Sequence, residues 1–277
     1  MTVLVTGATG SVGREVVAQL VCTGTDVRAS TRNPSSASLP DGVAVSAVDL
    51  AQPSTLAAAL DGVDAVYLFP SFEDPEGVAR AIGSSKVTRI VLLSSISTSL
   101  PNAGDNPNAV RFLGLEHALE GTGIACTFLR AGEFAGNIRY YAPGLAEGSV
   151  RIPFPDSLHL PIDERDIAEA AVIGLTTDKL TGQKPRLTGE QAITLREELE
   201  TISDATGRQV QITELSEQEA IDAFIPEAPR GMVRAMMSVW KATISDPPEP
   251  SLAVRNITGH APRSFTSWVH DHLDEFG

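Results

Sequence analysis

Cysteine and basic charge are both scarce in this chain, and each shortage excludes something. Its 277 residues hold two cysteines, Cys22 and Cys126, each inside an apolar periodic stretch. They read as small buried hydrophobes in a reducing compartment, not as a disulfide. Lysine and arginine number 21 against 35 aspartates and glutamates, a formal charge of −14. So acidic a surface repels nucleic-acid phosphates and anionic lipid alike, and neither direct nucleic-acid binding nor a membrane partner is expected. No apolar run approaches the length of a membrane span. Residues 1–6 already read as a strand, which leaves no room for a secretory signal, so a cytoplasmic location is expected. The length allows one large domain, or one domain with an appended lobe.

Short β-branched runs alternate with amphipathic segments of helix length, the pattern of a mostly parallel sheet covered on both faces. Strands are predicted at residues 2–6, 26–30, 43–47, 65–69, 89–93 and 125–129. Six such strands fit a doubly wound sheet. Beyond Arg130 the pattern is broken by Gly144, Gly148, Pro153, Pro155 and Pro161 before a helix predicted over 166–176. The expected architecture is therefore α/β, a doubly wound parallel Rossmann sheet over residues 1–130 with a smaller C-terminal α/β substrate lobe over 131–277. The lobe is expected to be interleaved with the sheet rather than independent. Asp246-Pro247-Pro248-Glu249-Pro250, the one strongly proline-rich stretch, reads as an extended connector inside the lobe.

The chemistry starts at Thr6-Gly7-Ala8-Thr9-Gly10-Ser11-Val12-Gly13, which follows the first strand and opens the first helix. Glycines at this spacing also make turns without a ligand, so the position between strand and helix carries the inference. Gly7 permits the tight turn, Gly10 lets the backbone approach a pyrophosphate, and Gly13 allows the helix to pack closely on the strand. The amides of Ser11, Val12 and Gly13, at the helix N-terminus, then face the phosphates.

Cofactor choice is read at the end of the second strand, where an acid would select NAD by binding the ribose 2′-OH. Here the chain has Ser30-Thr31-Arg32-Asn33. The Arg32 guanidinium would pair with a 2′-phosphate, with Thr9 and Thr31 nearby, so NADP(H) is expected in preference to NAD(H). Arg14 is placed to assist. Asp49 and Leu50, after the third strand, either flank the adenine or, for Asp49, cap the helix after Pro53.

Other candidates carry a plain reading beside a functional one. Ser94 ends the fifth strand, at the edge where ligands sit, and serves either the ribose and substrate or a turn. Glu133, just past the sixth strand, is either a desolvated acid or a partly exposed residue opening the next helix. Asp163 and Asp166 are spaced as N-cap and N3 of the helix that follows. His270-Asp271-His272 reads as solvent-exposed, and no metal is expected. Met232, Met236 and Trp240 form one stripe of a helix, either core or the wall of a pocket.

Taken together, these stretches resemble the NmrA-like group of atypical short-chain dehydrogenases/reductases, which includes quinone oxidoreductases. The resemblance rests on residues 6–13, 28–34, 91–95 and 123–137, and on 161–168 and 257–265. It implies that the loop Phe69-Pro70-Ser71 runs past the cofactor and that the segment holding Phe134 and Asn137 borders the nicotinamide. It also implies a lobe that closes over the nicotinamide, with Phe224, Met232, Met236 and Trp240 as an apolar substrate wall. The parent enzymes use a Tyr-x-x-x-Lys pair, and that pair is absent. Tyr140 and Tyr141 are followed four places on by Gly144 and Leu145, and no lysine lies between Lys86 and Lys179. Similar enzymes often carry His or Lys four residues before the glutamate equivalent to Glu116, where this chain has Phe112. No proton donor is thereby assigned, and Glu133, Ser94 and Tyr140 stand as candidates. The expected activity is NADPH-dependent hydride transfer to a hydrophobic quinone-like, enone or imine small molecule, by a monomer or homodimer. The alternatives are a non-enzymatic NADP(H)-binding redox sensor, and a nicotinamide-dependent isomerase or epimerase.

Overall fold

A computed structural model of the chain describes residues 1–223 and 230–276. In chain order the elements are β1 (Thr2–Val5), α1 (Ser11–Cys22), β2 (Asp26–Thr31), β3 (Ala44–Ala47), α2 (Pro53–Ala59), β4 (Ala65–Leu68), α3 (Pro75–Gly83), β5 (Arg89–Ser95), α4 (Pro107–Glu120) and β6 (Ala125–Ala131). Then come α5 (Ala142–Glu147), β7 (Ser149–Pro153), β8 (Leu158–His159), α6 (Glu164–Thr176), β9 (Arg186–Leu187), β10 (Ile193–Thr194), α7 (Leu195–Thr206) and β11 (Gln211–Leu215). The last helices are α8 (Glu217–Ala223), α9 (Arg230–Thr243), α10 (Ala253–Thr258) and α11 (Phe265–Asp271). Phe224, expected in the substrate wall, lies outside the described residues. The chain forms two compact units. The first comprises Met1–Ala131, Glu164–Leu187 and Ala253–His260, and the second Gly132–Asp163, Thr188–Leu252 and Ala261–Gly277.

In the first unit, seven strands pair in the order β3-β2-β1-β4-β5-β6-β9, every pair parallel. β1, β4 and β5 are near-continuous apolar runs because helices cover both of their faces. Leu4, Val66, Leu68, Ile90 and Leu92 pack with Val78 and Ile82 of α3 and Leu115 and Leu119 of α4. On the opposite face Val91 meets α6, where a Cβ on Gly174 would stand 3.1 Å from its methyl. Strand order reverses between β1 and β4, the switch point where open α/β sheets bind ligands at the strands' carboxyl ends. β5 and β6 each extend two residues past their predicted ends, since they pair with each other along their whole length. The seventh strand, β9, was not foreseen; at two residues it is too short to show periodicity.

α6 begins at Glu164, two residues before the predicted start, with Asp163 immediately ahead of it and Asp166 in its first turn, both buried. Cys126 is buried as expected, but Cys22 is exposed. α1 turns Val12, Val16 and Leu20 inward at a spacing of four, and a residue two beyond Leu20 falls on the opposite side of the helix.

In the second unit β7 pairs parallel with β11 and β8 antiparallel with β10. Its core gathers Ile138, Leu145, Ile152, Leu199, Ile202 and Trp268. α7 starts at a capping box, Thr194 with Glu197, and buries Leu195, Glu198, Leu199 and Ile202 on one face. The stripe of Met232, Met236 and Trp240 on α9 is partly buried throughout, and beside it Val233 and Met237 are core. Residues 247–250 form a connector without regular structure after α9. No described helix is long and apolar enough to cross a membrane.

Candidate functional site

β1 runs directly into the glycine turn of the first unit. Gly7 has φ +60°, in the left-handed region that favours glycine. A Cβ there would also stand 2.8 Å from the Phe69 Cβ. Phe69 is held at that spot through Thr6, whose Oγ1 donates to the Tyr67 carbonyl at 3.1 Å and accepts from the Phe69 amide at 2.8 Å. Gly13 answers a different need from the one expected. A Cβ on it would come within 2.1 Å of the Gly7 carbonyl oxygen, so the third glycine lets the helix pack on the turn itself, not on a strand.

Gly10 is the N-cap of α1 and offers no side-chain hydrogen bond to the first turn. The amides of Ser11, Val12 and Gly13 are thus without a capping acceptor, with the positive end of the helix dipole behind them. A Cβ at Gly10 would meet nothing but the Gly7 carbonyl oxygen, at 3.2 Å. The ground beside it is open for another group to approach. Val12 contributes only its amide, since its side chain is core, while Ser11 is exposed.

At the end of β2, Ser30 is buried and Thr31 Oγ1 lies 3.5 Å from Thr9 Oγ1. Arg32 follows, exposed, with no hydrogen bond or ion pair among the described residues. Arg14 instead braces the turn, its Nη2 donating to the Thr9 carbonyl at 3.1 Å. Uncapped amides and a free guanidinium at one sheet edge fit a dinucleotide carrying a 2′-phosphate.

Asp49 is committed to its own turn: its carboxylate accepts from the Ala51 amide at 3.1 Å and from Gln52 Nε2 at 2.9 Å. The N-cap of α2 is Gln52, so Asp49 is not the cap. Leu50 is partly buried against the core. Phe69, 45% exposed, and the half-buried Pro70 follow β4. Ser94 is spoken for as well. Its hydroxyl donates to Glu116 Oε1 at 2.6 Å, and that fully buried carboxylate is also gripped by Arg130 Nη2 at 2.6 Å. One helical turn earlier, Phe112 packs edge-on against Phe72 with centroids 4.9 Å apart, so an apolar contact fills the position before Glu116.

The second unit holds a separate cluster. Glu133 is fixed by its backbone, since its carbonyl accepts from the Ile162 amide at 2.9 Å. Next to it, Phe134 bridges to Ile162. The Glu133 side chain lies 2.9 Å from His159 Nδ1, and Glu198 Oε1 lies 3.2 Å from the same nitrogen. These are ion-pair distances, but neither contact has hydrogen-bond alignment. The far nitrogen of the ring, Nε2, is 3.0 Å from Ser157 Oγ, and Trp240 covers the ring with centroids 5.2 Å apart.

Burial works against charging His159, yet the two carboxylates overcome it and push the ring up to about 10. Glu198 is raised to about 7, chiefly by burial and further by the Glu133 charge, while the His159 contact pulls it down. Near neutral pH the cluster thus holds a charged imidazole and a carboxyl group that still keeps its proton part of the time.

Glu133 and Glu198 line a cavity of about 250 Å³ together with Asn137, Ile138, Tyr140, Tyr141, Leu195, Met236 and Trp240. Of the expected pocket residues, Asn137, Met236 and Trp240 are therefore brought together here, and Met232 is not. Tyr140 is 48% exposed and packs edge-on against Tyr141. The Tyr141 hydroxyl is buried without a hydrogen-bond partner.

Tyr141, His159 and Glu198 escaped the sequence reading. One signal was available: Leu195, Glu198, Leu199 and Ile202 share a helical face, so a carboxylate occupies an apolar position. The expected exposure of His272 is corrected: its ring stacks on Trp268 with centroids 4.3 Å apart, and Nδ1 lies 2.7 Å from the Trp268 carbonyl oxygen. Among the described residues one trio has metal-ligand spacing, Asp166, Glu169 and His260, and there His260 Nε2 already sits 3.0 Å from Glu169.

Comparison with known proteins places this geometry. A family model described as NmrA-like family matches residues 1–257. A (4-alkanoyl-5-oxo-2,5-dihydrofuran-3-yl)methyl phosphate reductase of Streptomyces griseus is 33% identical over 99% of each chain. An NAD(P)H azoreductase of Xenophilus azovorans is 31% identical, again over 99% of each. Among solved structures, an NADPH-dependent quinone oxidoreductase of Escherichia coli complexed with NADPH superposes with a TM-score of 0.81 at 25% identity, covering 99% of this chain and 100% of that one.

Proposed function

The chain belongs to the NmrA-like family, and on that premise we propose that it is an NADPH-dependent reductase of hydrophobic, conjugated small molecules: quinones, enones or imines. The observation that carries this reading is the uncapped start of α1 beside a free Arg32 at an acid-less strand end. The Ser11, Val12 and Gly13 amides would take the pyrophosphate, and Arg32 the 2′-phosphate, with the hydroxyls of Thr9 and Thr31 alongside. When bound, the nicotinamide supplies a hydride.

The rest falls to side chains. The chain has no Tyr-x-x-x-Lys pair, and Ser94 is bonded to Glu116, so neither is taken as the proton source. Glu133 and Glu198 each lie within ion-pair distance of a single imidazole, that of His159. A cluster that can hold and give up a proton favours turnover over a purely sensing role. The relatives named above carry the names of a (4-alkanoyl-5-oxo-2,5-dihydrofuran-3-yl)methyl phosphate reductase and an NAD(P)H azoreductase, which supports a reductase here. The cysteines, unpaired in the structure, suit a reducing compartment, and we place the enzyme in the cytoplasm.

The test is NADPH oxidation followed at 340 nm across a panel of quinones, enones and imines. Turnover of at least one class, faster with NADPH than with NADH, is expected. No oxidation with any member would overturn the reading.

A further inference from the structure

The cavity of the second unit presents two polar atoms that no aligned hydrogen bond satisfies. The Tyr141 hydroxyl and Glu198 Oε1 are both buried, both line the cavity, and neither has an aligned hydrogen-bond partner. Buried polar atoms are nearly always paired, so two orphans on one small cavity mark places where something else is meant to bond. The remaining wall is mainly apolar and aromatic, from Ile138, Leu195, Met236 and Trp240. At about 250 Å³ the space suits one or two flat rings.

The charges around the orphans decide what kind of group that is. Glu133 and His159 neutralise each other across 2.9 Å, so a cation finds no unmatched negative charge while Glu198 keeps its proton. An anion would meet the Glu133 carboxylate. A neutral acceptor meets no such mismatch: the Tyr141 hydroxyl can donate its proton to one, and a neutral Glu198 carboxyl likewise.

We propose that this cavity binds a planar conjugated carbonyl compound, its oxygen received between the Tyr141 hydroxyl and the Glu198 carboxyl while Met236 and Trp240 sandwich the rings. This rests on the reductase reading for the identity of the substrate class, and it adds the atoms that recognise it. A phenol paired with a neutral carboxylic acid in an apolar site is a known way to hold the oxygen of a conjugated ketone. The same oxygen gathers negative charge as such a compound is reduced, so these donors point where charge develops.

Glu198 must keep its proton to donate, and binding must therefore weaken as pH rises past about 7. The groups acting on Glu198 are Glu133 and His159. Those on the other elements packed against α7, His270 and Asp271 on α11 and Asp274 and Glu275 near the chain end, contribute nothing to its shift.

The experiment titrates the full chain, without NADPH, with 1,4-naphthoquinone and with naphthalene, reading quenching of Trp240 against a Trp240→Phe control. Naphthoquinone should bind saturably and naphthalene at least about tenfold more weakly. Tyr141→Phe should weaken naphthoquinone about tenfold and leave naphthalene unchanged. Wild-type affinity for naphthoquinone should fall between pH 6 and pH 8.5; Glu198→Gln, which keeps a donor but cannot ionise, should bind as wild type does at pH 6 and show no fall. Equal affinities for the two probes, affinity that rises with pH, or unchanged behaviour in both variants would each overturn the proposal. If naphthoquinone binds as stated and NADPH is not oxidised, the reductase reading fails and the site stands. If NADPH is oxidised and both variants keep wild-type KM, the reductase stands and the site falls.

Discussion

At the turn after β1 the chain works by leaving side chains out, whereas the pocket of the second unit depends on side chains brought in from distant points. Gly7 and Gly13 sit where a Cβ would strike Phe69 or the turn's own carbonyl, and the binding groups offered are main-chain amides. In the pocket the groups offered are the side chains of Glu133, Tyr141, His159 and Glu198, with His159 within ion-pair distance of both carboxylates. Amides do not titrate near neutrality, and the buried Glu198 carboxyl beside an imidazole does. The two sites should therefore respond to different perturbations, and both tryptophans, Trp240 and Trp268, lie in the second unit, so tryptophan emission reports that unit alone.

The largest effect is expected where the pocket's charges lose their counterion. His159→Leu leaves Glu133 and Glu198 facing each other without a cation, and breaking a buried pair in this way costs about 3–5 kcal/mol. Urea unfolding followed by tryptophan emission should show that loss, while NADPH binding to the folded fraction, read by calorimetry, stays within about twofold. Equal damage to cofactor binding would erase the contrast between the sites.

pH should separate them next. His159 is raised from 6.5 to about 10, so the stability it contributes is fully present below 6.5 and is lost as pH climbs towards 10. Glu198 is raised from 4.5 to about 7, so its part is present below 4.5 and is lost as pH rises through 7. Both act in one direction, and the urea midpoint read from tryptophan emission should fall steadily from pH 5 to pH 9. Glu198→Gln should remove the portion below pH 7 and keep the portion above it. A flat profile in the wild type would mean that the pocket's charges are screened.

The same contrast explains what could be read from the sequence. The glycine turn announces itself because a backbone site requires three missing side chains at fixed spacing, directly after an apolar run. Arg32 stands out because an acid is missing where one would be needed for NAD. β1, β4 and β5 were legible for a similar reason, being apolar without interruption and buried on both faces. The pocket left no spacing to find. Tyr141 lies in a short helical turn, His159 in a two-residue strand and Glu198 among Leu195, Leu199 and Ile202 of α7, a pattern that looks ordinary until the glutamate's position on it is counted. Their meeting depends on long-range packing, and so does the pairing of Ser94 with Glu116, which a β-strand ending in serine does not foretell.

Gly13→Ala tests the backbone side of the comparison. Its new Cβ would lie 2.1 Å from the Gly7 carbonyl oxygen, a contact that only a shift of the turn relieves, and the shift would misdirect the amides of the first turn. NADPH affinity by calorimetry should fall at least about a hundredfold. Naphthoquinone quenching of Trp240 should be unchanged, because the pocket's lining all belongs to the second unit. Loss of both would show that the turn also supports the pocket.

Arg32→Ala carries the smallest and most selective effect. The guanidinium is exposed and unpaired among the described residues, so its removal breaks nothing in the fold and stability should stay within about 0.5 kcal/mol. A charged hydrogen bond to a phosphate is worth about 1.5–3 kcal/mol, so NADPH affinity should drop by about ten- to a hundredfold. NADH, which has no 2′-phosphate, should bind as before, and the preference between the two cofactors should shrink by the same factor. The pair is solvent-facing, so raising salt should weaken NADPH in the wild type more than in the variant. If NADPH and NADH lose affinity equally, Arg32 acts on the shared pyrophosphate and the selectivity lies elsewhere; if neither changes, the missing acid at the end of β2 is by itself what admits the extra phosphate.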